Sequence, residues 1–318
     1  MTSPATSAAA TRPPAKQRLG DRIFSNAALG AGTLILAILA AVSGYLFLES
    51  IPAFTTDPHD IDILDGEPLW SYVAPLVFGT LWSAALALLM AVPVSVGIAL
   101  FISHYAPRRL AQSLGYVIDL LAAVPSVVFG LWGGIVLAPA VQPVYSWLTQ
   151  NLGWIPLFAP PASGTGRTIL TASIVLAVMV LPIITALCRE VFLQTPVLHE
   201  EAALALGATR WEMIRTAVLP FGRPGIISAS MLGLGRALGE TMAVAMVLSA
   251  SGGITVALLT PSNPGTIAAN IALRFGEAFG TNINLLIATG LILFAITLVV
   301  NMIARWIIGR RKEFSGAN

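Results

Sequence analysis

Six long apolar runs alternate with short polar segments along the chain. They cover about 27–48, 74–103, 114–138, 168–188, 224–249 and 284–308. Each holds at least about 20 residues, enough for a helix to cross about 30 Å of hydrocarbon. An open chain can satisfy its backbone polar groups in lipid only as helices. The pattern therefore predicts an all-α, polytopic integral membrane protein with six transmembrane helices. It divides into a tail over 1–24, a first transmembrane helix over 25–50, an acidic loop over 51–72, a five-span body over 73–309 and a second tail over 310–318. Residues 1–20, rich in Ala, Thr, Ser and Pro, are expected to be disordered. The first apolar run is too long and starts too late for a typical signal peptide, so it reads as a retained span.

The polar stretch 195–220, between runs four and five, predicts a helix-turn-helix. Thr195 can N-cap a first helix of about 11 residues, with Pro196 at its first position. Gly207 can close it in the left-handed conformation. Thr209 and Glu212 have the spacing of a capping box that opens a second helix, and Leu219-Pro220 is expected to end it. Two capped helices in a short loop suggest a docking surface.

Composition sharpens the picture. The chain has 318 residues, 56% of them hydrophobic and 10% charged, against about 25% charged in soluble domains. Fourteen of the seventeen Lys and Arg residues fall before run one, between runs two and three, between runs four and five, or from the last turn of run six to the end of the chain. The positive-inside rule then puts both termini and the helix-turn-helix in the cytoplasm. The first outer loop carries Glu49, Asp57, Asp60, Asp62, Asp65 and Glu67 without a Lys or Arg. It lacks the spacing of a calcium loop and reads as a solvated, translocated segment. In the second outer loop Tyr145, Trp147 and Trp154 predict an interfacial helix near 143–152. In the third, Thr266 can cap a short helix carrying Ile267, Ile271, Leu273 and Phe275. Cys188 is alone, so no intrachain disulfide forms.

The chain holds no engine. Its only lysines, Lys16 and Lys312, do not follow Gly as a phosphate-cradling loop requires. His199-Glu200 has Ala203 where a zinc-protease pattern needs a second His.

One intramembrane motif carries chemistry. Arg236 lies about twelve residues into run five, near mid-bilayer, with Glu240 one helical turn further on the same face. A buried Arg costs about 2.5–3.5 kcal/mol on the lenient insertion scale and normally faces protein or a wet cavity. Gly235 and Gly239 let another helix or a substrate approach the backbone. Two readings stand: a structural ion pair, or an anion site in which the guanidinium fork grips a tetrahedral oxyanion. Asp119, near the inner edge of run three, is a weaker candidate.

These residues resemble an ABC importer permease of type I. Glu200, Glu201, Ala202, Ala203, Gly207, Thr209 and Arg210 lie in a stretch similar to the EAA loop, which such permeases insert into their ATPase; Ala217 departs mildly from it. Gly235-Arg236-Ala237-Leu238-Gly239-Glu240-Thr241-Met242-Ala243-Val244 resembles the phosphate-specific permeases of the PstC type. The resemblance covers roughly 72–308. It implies a substrate path past Gly235, Arg236, Gly239, Glu240 and Thr241. It also implies a second permease of the PstA type, two copies of a PstB-type ATPase that hold ATP and Mg, and a PstS-type phosphate-binding protein outside. No cofactor or metal is expected on this chain, nor enzymatic activity of its own. A permease for sulfate, molybdate or phosphonate, and a non-ABC anion channel or secondary transporter, are the rival readings.

Overall fold

The computed structural model describes residues 19–312, with side chains over 20–306. Most of the expected first tail and residues 313–318 of the second lie outside that range. Among the described residues every regular element is helical apart from one parallel bridge between Ala250 and Asn263. The chain divides into two units, residues 1–48 and 49–318. The first is built on α1 (Leu19–Thr55), whose C-terminal turns continue into the second.

The second unit is organised on α6 (Ile169–Leu193). Of its apolar window 67% is buried within the chain, against 17–33% for the other spans of this unit. Two long helices flank it, α2 (Leu69–Leu100) and α9 (Leu219–Leu238). The α2 face turned inward is a ladder of small buried residues, Ala84, Ala87, Ala91, Ser95 and Ala99. Small residues at helical spacing let backbones approach closely in lipid, and the Ser95 hydroxyl donates to the Leu181 carbonyl at 3.1 Å. On α9, a methyl group built on Gly233 would stand 2.7 Å from the Ile184 side chain, so close packing on α6 requires glycine there.

Three corrections to the predicted spans share one theme, the placement of prolines. The third span does not run over 114–138. Residues 108–122 form a separate amphipathic helix, α3 (Arg108–Ala122), and Val124-Pro125 breaks the chain before α4 (Ser126–Trp132). α4 then joins α5 (Ala138–Leu152) through a π-helical turn at Gly133–Leu137. Residues 143–152 are thus the end of a spanning helix, not a separate interfacial one. Likewise Leu219-Pro220 does not end the helix opened by Thr209. α8 (Arg210–Met213) runs through a π-helical turn at Ile214–Val218 directly into α9. A proline in a helix lacks an N–H and clashes with the carbonyl four residues back. A wide turn just before Pro139 and Pro220 changes which carbonyls must be met, so the rod continues.

At the other end of the bundle the acidic loop is less solvated than its charge suggests. Ile61 and Leu64 are buried with Ala53 against Leu285 and Ala288 of α12 (Thr281–Lys312). Asn282 donates to the Asp62 carboxylate at 2.9 Å, and Asn284 to the Glu49 carbonyl at 2.7 Å.

Candidate functional site: a docking helix and an arginine-lined cavity

Two places in the 49–318 unit carry the candidate residues. The first is α7 (Val197–Ala205) and the start of α8. Thr195 does not cap α7 as expected. Pro196 is the N-cap, without a side-chain bond, and the buried Thr195 hydroxyl meets no partner. The exit is built as the sequence indicates. Gly207 has φ +88°, its N–H reaches the Leu204 carbonyl at 2.9 Å, and the Ala208 N–H reaches Ala203 at 3.2 Å. Those two bonds make a Schellman cap. The capping box is also complete, with the Thr209 N–H donating to the Glu212 carboxylate at 2.8 Å and the Glu212 N–H to the Thr209 hydroxyl at 3.3 Å.

The two glutamates face different ways. Glu200 is partly buried, its carboxylate 3.4 Å from His104 Nε2, which ties α7 to the π-helical end of α2 at Phe101–Tyr105. His104 Nδ1 stands 2.6 Å from the Ser103 hydroxyl. Glu201, Ala202 and Arg210 are exposed. So are Val197, Leu198 and Leu206, the last at 90% of its surface. Apolar side chains thus stand uncovered on a firmly capped helix. His104 was not legible from local spacing, because its partner lies 96 positions away.

The second place is the end of α9. Helix α9 stops at Leu238, and Gly239–Glu240–Thr241 breaks the chain before α10 (Met242–Val247). Arg236 and Glu240 therefore do not stack one turn apart on a common helix. Among the described residues the ion pairs are His104–Glu200 and Arg189–Glu190, and Arg236 and Glu240 form none with each other. Glu240 is 8% exposed, and its carboxylate accepts the Ala243 N–H at 3.1 Å. That bond ties down the first turn of α10 from the residue before its N-cap, Thr241. The Thr241 hydroxyl donates to the Gly239 carbonyl at 3.1 Å and holds the break.

Arg236 instead faces a cavity of about 800 Å³. Its walls are α9 (Ser228, Met231, Leu232, Gly235) and α12 (Leu298, Asn301, Arg305), with Ile183 of α6. Gly235 keeps the wall low, since nothing stands within 4 Å of where its Cβ would be. Gly233, one turn before, packs on Ile184, about 14 Å from the Leu193 end of α6 by helical rise. The cavity thus runs from beside the middle of α6, at Ile183, to the far end of the last span, at Arg305. Arg305 is the residue that charge counting missed, because it reads as a basic flank of the last span. Among the described residues, Arg236 and Arg305 are the guanidinium groups on this cavity, and no acid lines it. Asp119 belongs elsewhere, in a cleft with Arg108, Tyr116 and Arg189 at the foot of α6. Glu240 and Gly239 are not among the lining residues.

Comparison with known proteins places this arrangement. Residues 91–313 match the family described as the binding-protein-dependent transport system inner membrane component. The phosphate transport system permease protein PstC 2 of Mycobacterium tuberculosis is 44% identical over 97% of each chain. The chain belongs to the PstC family of permeases. The PstC protein of Mycobacterium leprae is 42% identical over 92% of this chain and 94% of its own length. That of Mesorhizobium japonicum is 39% identical over 94% and 93%. Among solved structures, a bacterial ABC transporter involved in import of the acidic polysaccharide alginate matches at TM-score 0.60. It is 19% identical, over 92% of this chain and 99% of that one. At that identity the likeness concerns fold: an ABC importer transmembrane subunit. The chain is a multi-pass permease subunit of this PstC family.

Proposed function

We propose that the chain forms half of the translocation pathway of an ATP-driven, binding-protein-dependent phosphate importer. It sits in the bacterial plasma membrane with both termini cytoplasmic, as its basic residues favour. The observation that carries the reading is the cavity between α9 and α12, lined among the described residues by Arg236 and Arg305 and by no acid. Two guanidinium groups that share one cavity without a described acid beside them favour an anion. Their planar forks suit a tetrahedral oxyanion that accepts two parallel hydrogen bonds. Phosphate carries between one and two negative charges near neutral pH, so two such groups can offset it.

The partners follow from the same reading. A second permease of the PstA type completes the path across the exposed face of α9 and α12. Two PstB-type ATPases hold ATP and Mg, one of them receiving the α7 surface with Glu201, Ala202 and Leu206. A PstS-type protein delivers phosphate from outside. This chain supplies no cofactor site and no hydrolytic group.

The test is phosphate uptake by the assembled importer in proteoliposomes. Arg236→Leu should abolish it, and Arg236→Lys, which keeps charge but loses the fork, should leave it impaired. Competition by unlabelled phosphate but not sulfate should displace the radiolabel. Normal uptake by assembled Arg236→Leu importers would take this residue out of the path.

A further inference from the structure

Packing alone holds the docking helix α7 only loosely. None of its residues is buried, and its N-cap makes no side-chain bond. Ala203 is half-buried against the core. Among the described residues, the side-chain hydrogen bond that joins α7 to another helix is the one between Glu200 and His104, at 3.4 Å. That contact is sheltered, with the His104 side chain 9% exposed and that of Glu200 23%. Glu201 and Ala202, beside it in sequence, are exposed and take no part in it.

The His104 ring is set for this bond. It stands in the π-helical turn that ends α2, a feature that recurs at functional sites. Its Nδ1 is 2.6 Å from the Ser103 hydroxyl, which also lies 2.8 Å from the Ala99 carbonyl. Ser103 can donate to Nδ1 of a neutral ring, or donate to Ala99 and accept from a charged one. In both cases Nε2 carries a proton and directs it at the Glu200 carboxylate. The remaining neutral tautomer would set a lone pair against that carboxylate. From His104, α2 runs to the other end of the bundle. Its Ser95 hydroxyl donates to Leu181 of α6. Its Thr80 hydroxyl accepts the Ile267 N–H at 3.0 Å, at the start of α11 (Ile267–Arg274). From His104 to Thr80 is about 36 Å of helix.

We propose that His104 is a positioning residue for ATP-driven transport. Through Glu200 it fixes α7 to the end of α2, so that movement of the docking helix pulls on α2 as well as on α9. The proposal rests on the reading above that α7 receives the ATPase. Helix α9 follows the docking loop through the continuous chain. Helix α2 follows it through the His104–Glu200 bond, and carries the pull to its junction with α11.

Two readouts test this. In assembled importers in proteoliposomes, His104→Ala and Glu200→Ala should each lower the phosphate moved per ATP hydrolysed about fivefold, the effect of one net hydrogen bond. The ATPase should still copurify and hydrolyse ATP, because the exposed Glu201, Ala202 and Leu206 are untouched. The double variant should be no worse than either single change, as for two residues that act through one contact. His104→Gln keeps an N–H donor near the place of Nε2 and should return the ratio to within about twofold of wild type. The second readout needs no ATPase. Leu198, on α7, is 74% exposed, and Cys188 is buried, so a spin label on Leu198→Cys of the full-length permease reports the mobility of α7. His104→Ala should sharpen its spectrum, and His104→Gln should broaden it again. A label whose mobility ignores His104 would overturn the tether. Greater mobility with a normal phosphate-to-ATP ratio, or additive losses in the double variant, would overturn the positioning role. An ATPase that fails to copurify with the wild-type permease would instead overturn the docking reading, and the proposal with it.

Discussion

Glu240 shows how one residue can look like a charge partner and instead tie down the first turn of a helix. On a straight helix it would lie over Arg236. Gly239 ends α9 first, and the carboxylate turns to the Ala243 N–H. The consequence separates two substitutions. Glu240→Gln keeps an oxygen acceptor and should leave the thermal stability of the purified permease within a small margin of wild type. Glu240→Ala removes it and should cost about 1 kcal/mol, the usual worth of a side-chain bond to a first-turn N–H, read as a lower melting temperature. Equal melting temperatures for both variants would show that the carboxylate does not hold α10. Arg236 was legible as a candidate, because an arginine inside an apolar run is rare enough to single itself out. Its true company was not. Arg305 stands on another helix and resembles any basic flank, and only packing shows that both arginines meet one cavity.

At the scale of elements, punctuation residues carried the information. Gly207, Thr209 and Glu212 were legible because caps are local: each bond spans a few positions and the side-chain chemistry names it. The prolines misled for the opposite reason. Whether Pro220 ends a helix depends on whether the turn before it can widen, and that is decided by neighbours such as the buried Ile214 and Val218. The 114–122 stretch misled because its apolar content resembles a span, while the helix it belongs to, Arg108–Ala122, takes a polar side from Arg108, Arg109, Gln112 and Asp119. The capped turn makes a direct prediction. Gly207→Val puts a β-branched residue at positive φ, a conformation such residues avoid. Space is not the obstacle, since nothing stands within 4 Å of the Cβ position. The permease should still insert, while uptake and transport-stimulated ATP hydrolysis fall at least tenfold. Normal values of both would remove α7 as the ATPase contact.

At the scale of the whole molecule, the division of labour is set by what the chain contains. On the proposed function, a buried middle helix, partly exposed flanking spans and a capped loop make a conduit with a handle. Lacking a phosphate-cradling lysine, the purified chain should hydrolyse no ATP, and turnover should begin only on adding the partner ATPase. Hydrolysis that survives removal of every contaminating ATPase would overturn this. The wide turn before Pro220 has a mechanical corollary. Because α8 and α9 are one rod from Arg210 to Leu238, the capping box and Arg236 sit at opposite ends of a lever about 39 Å long. A tilt of about 10° at the capped end swings the guanidinium through about 7 Å at the other. Motion imposed on the handle thus becomes displacement at the cavity, with no relay of side chains in between.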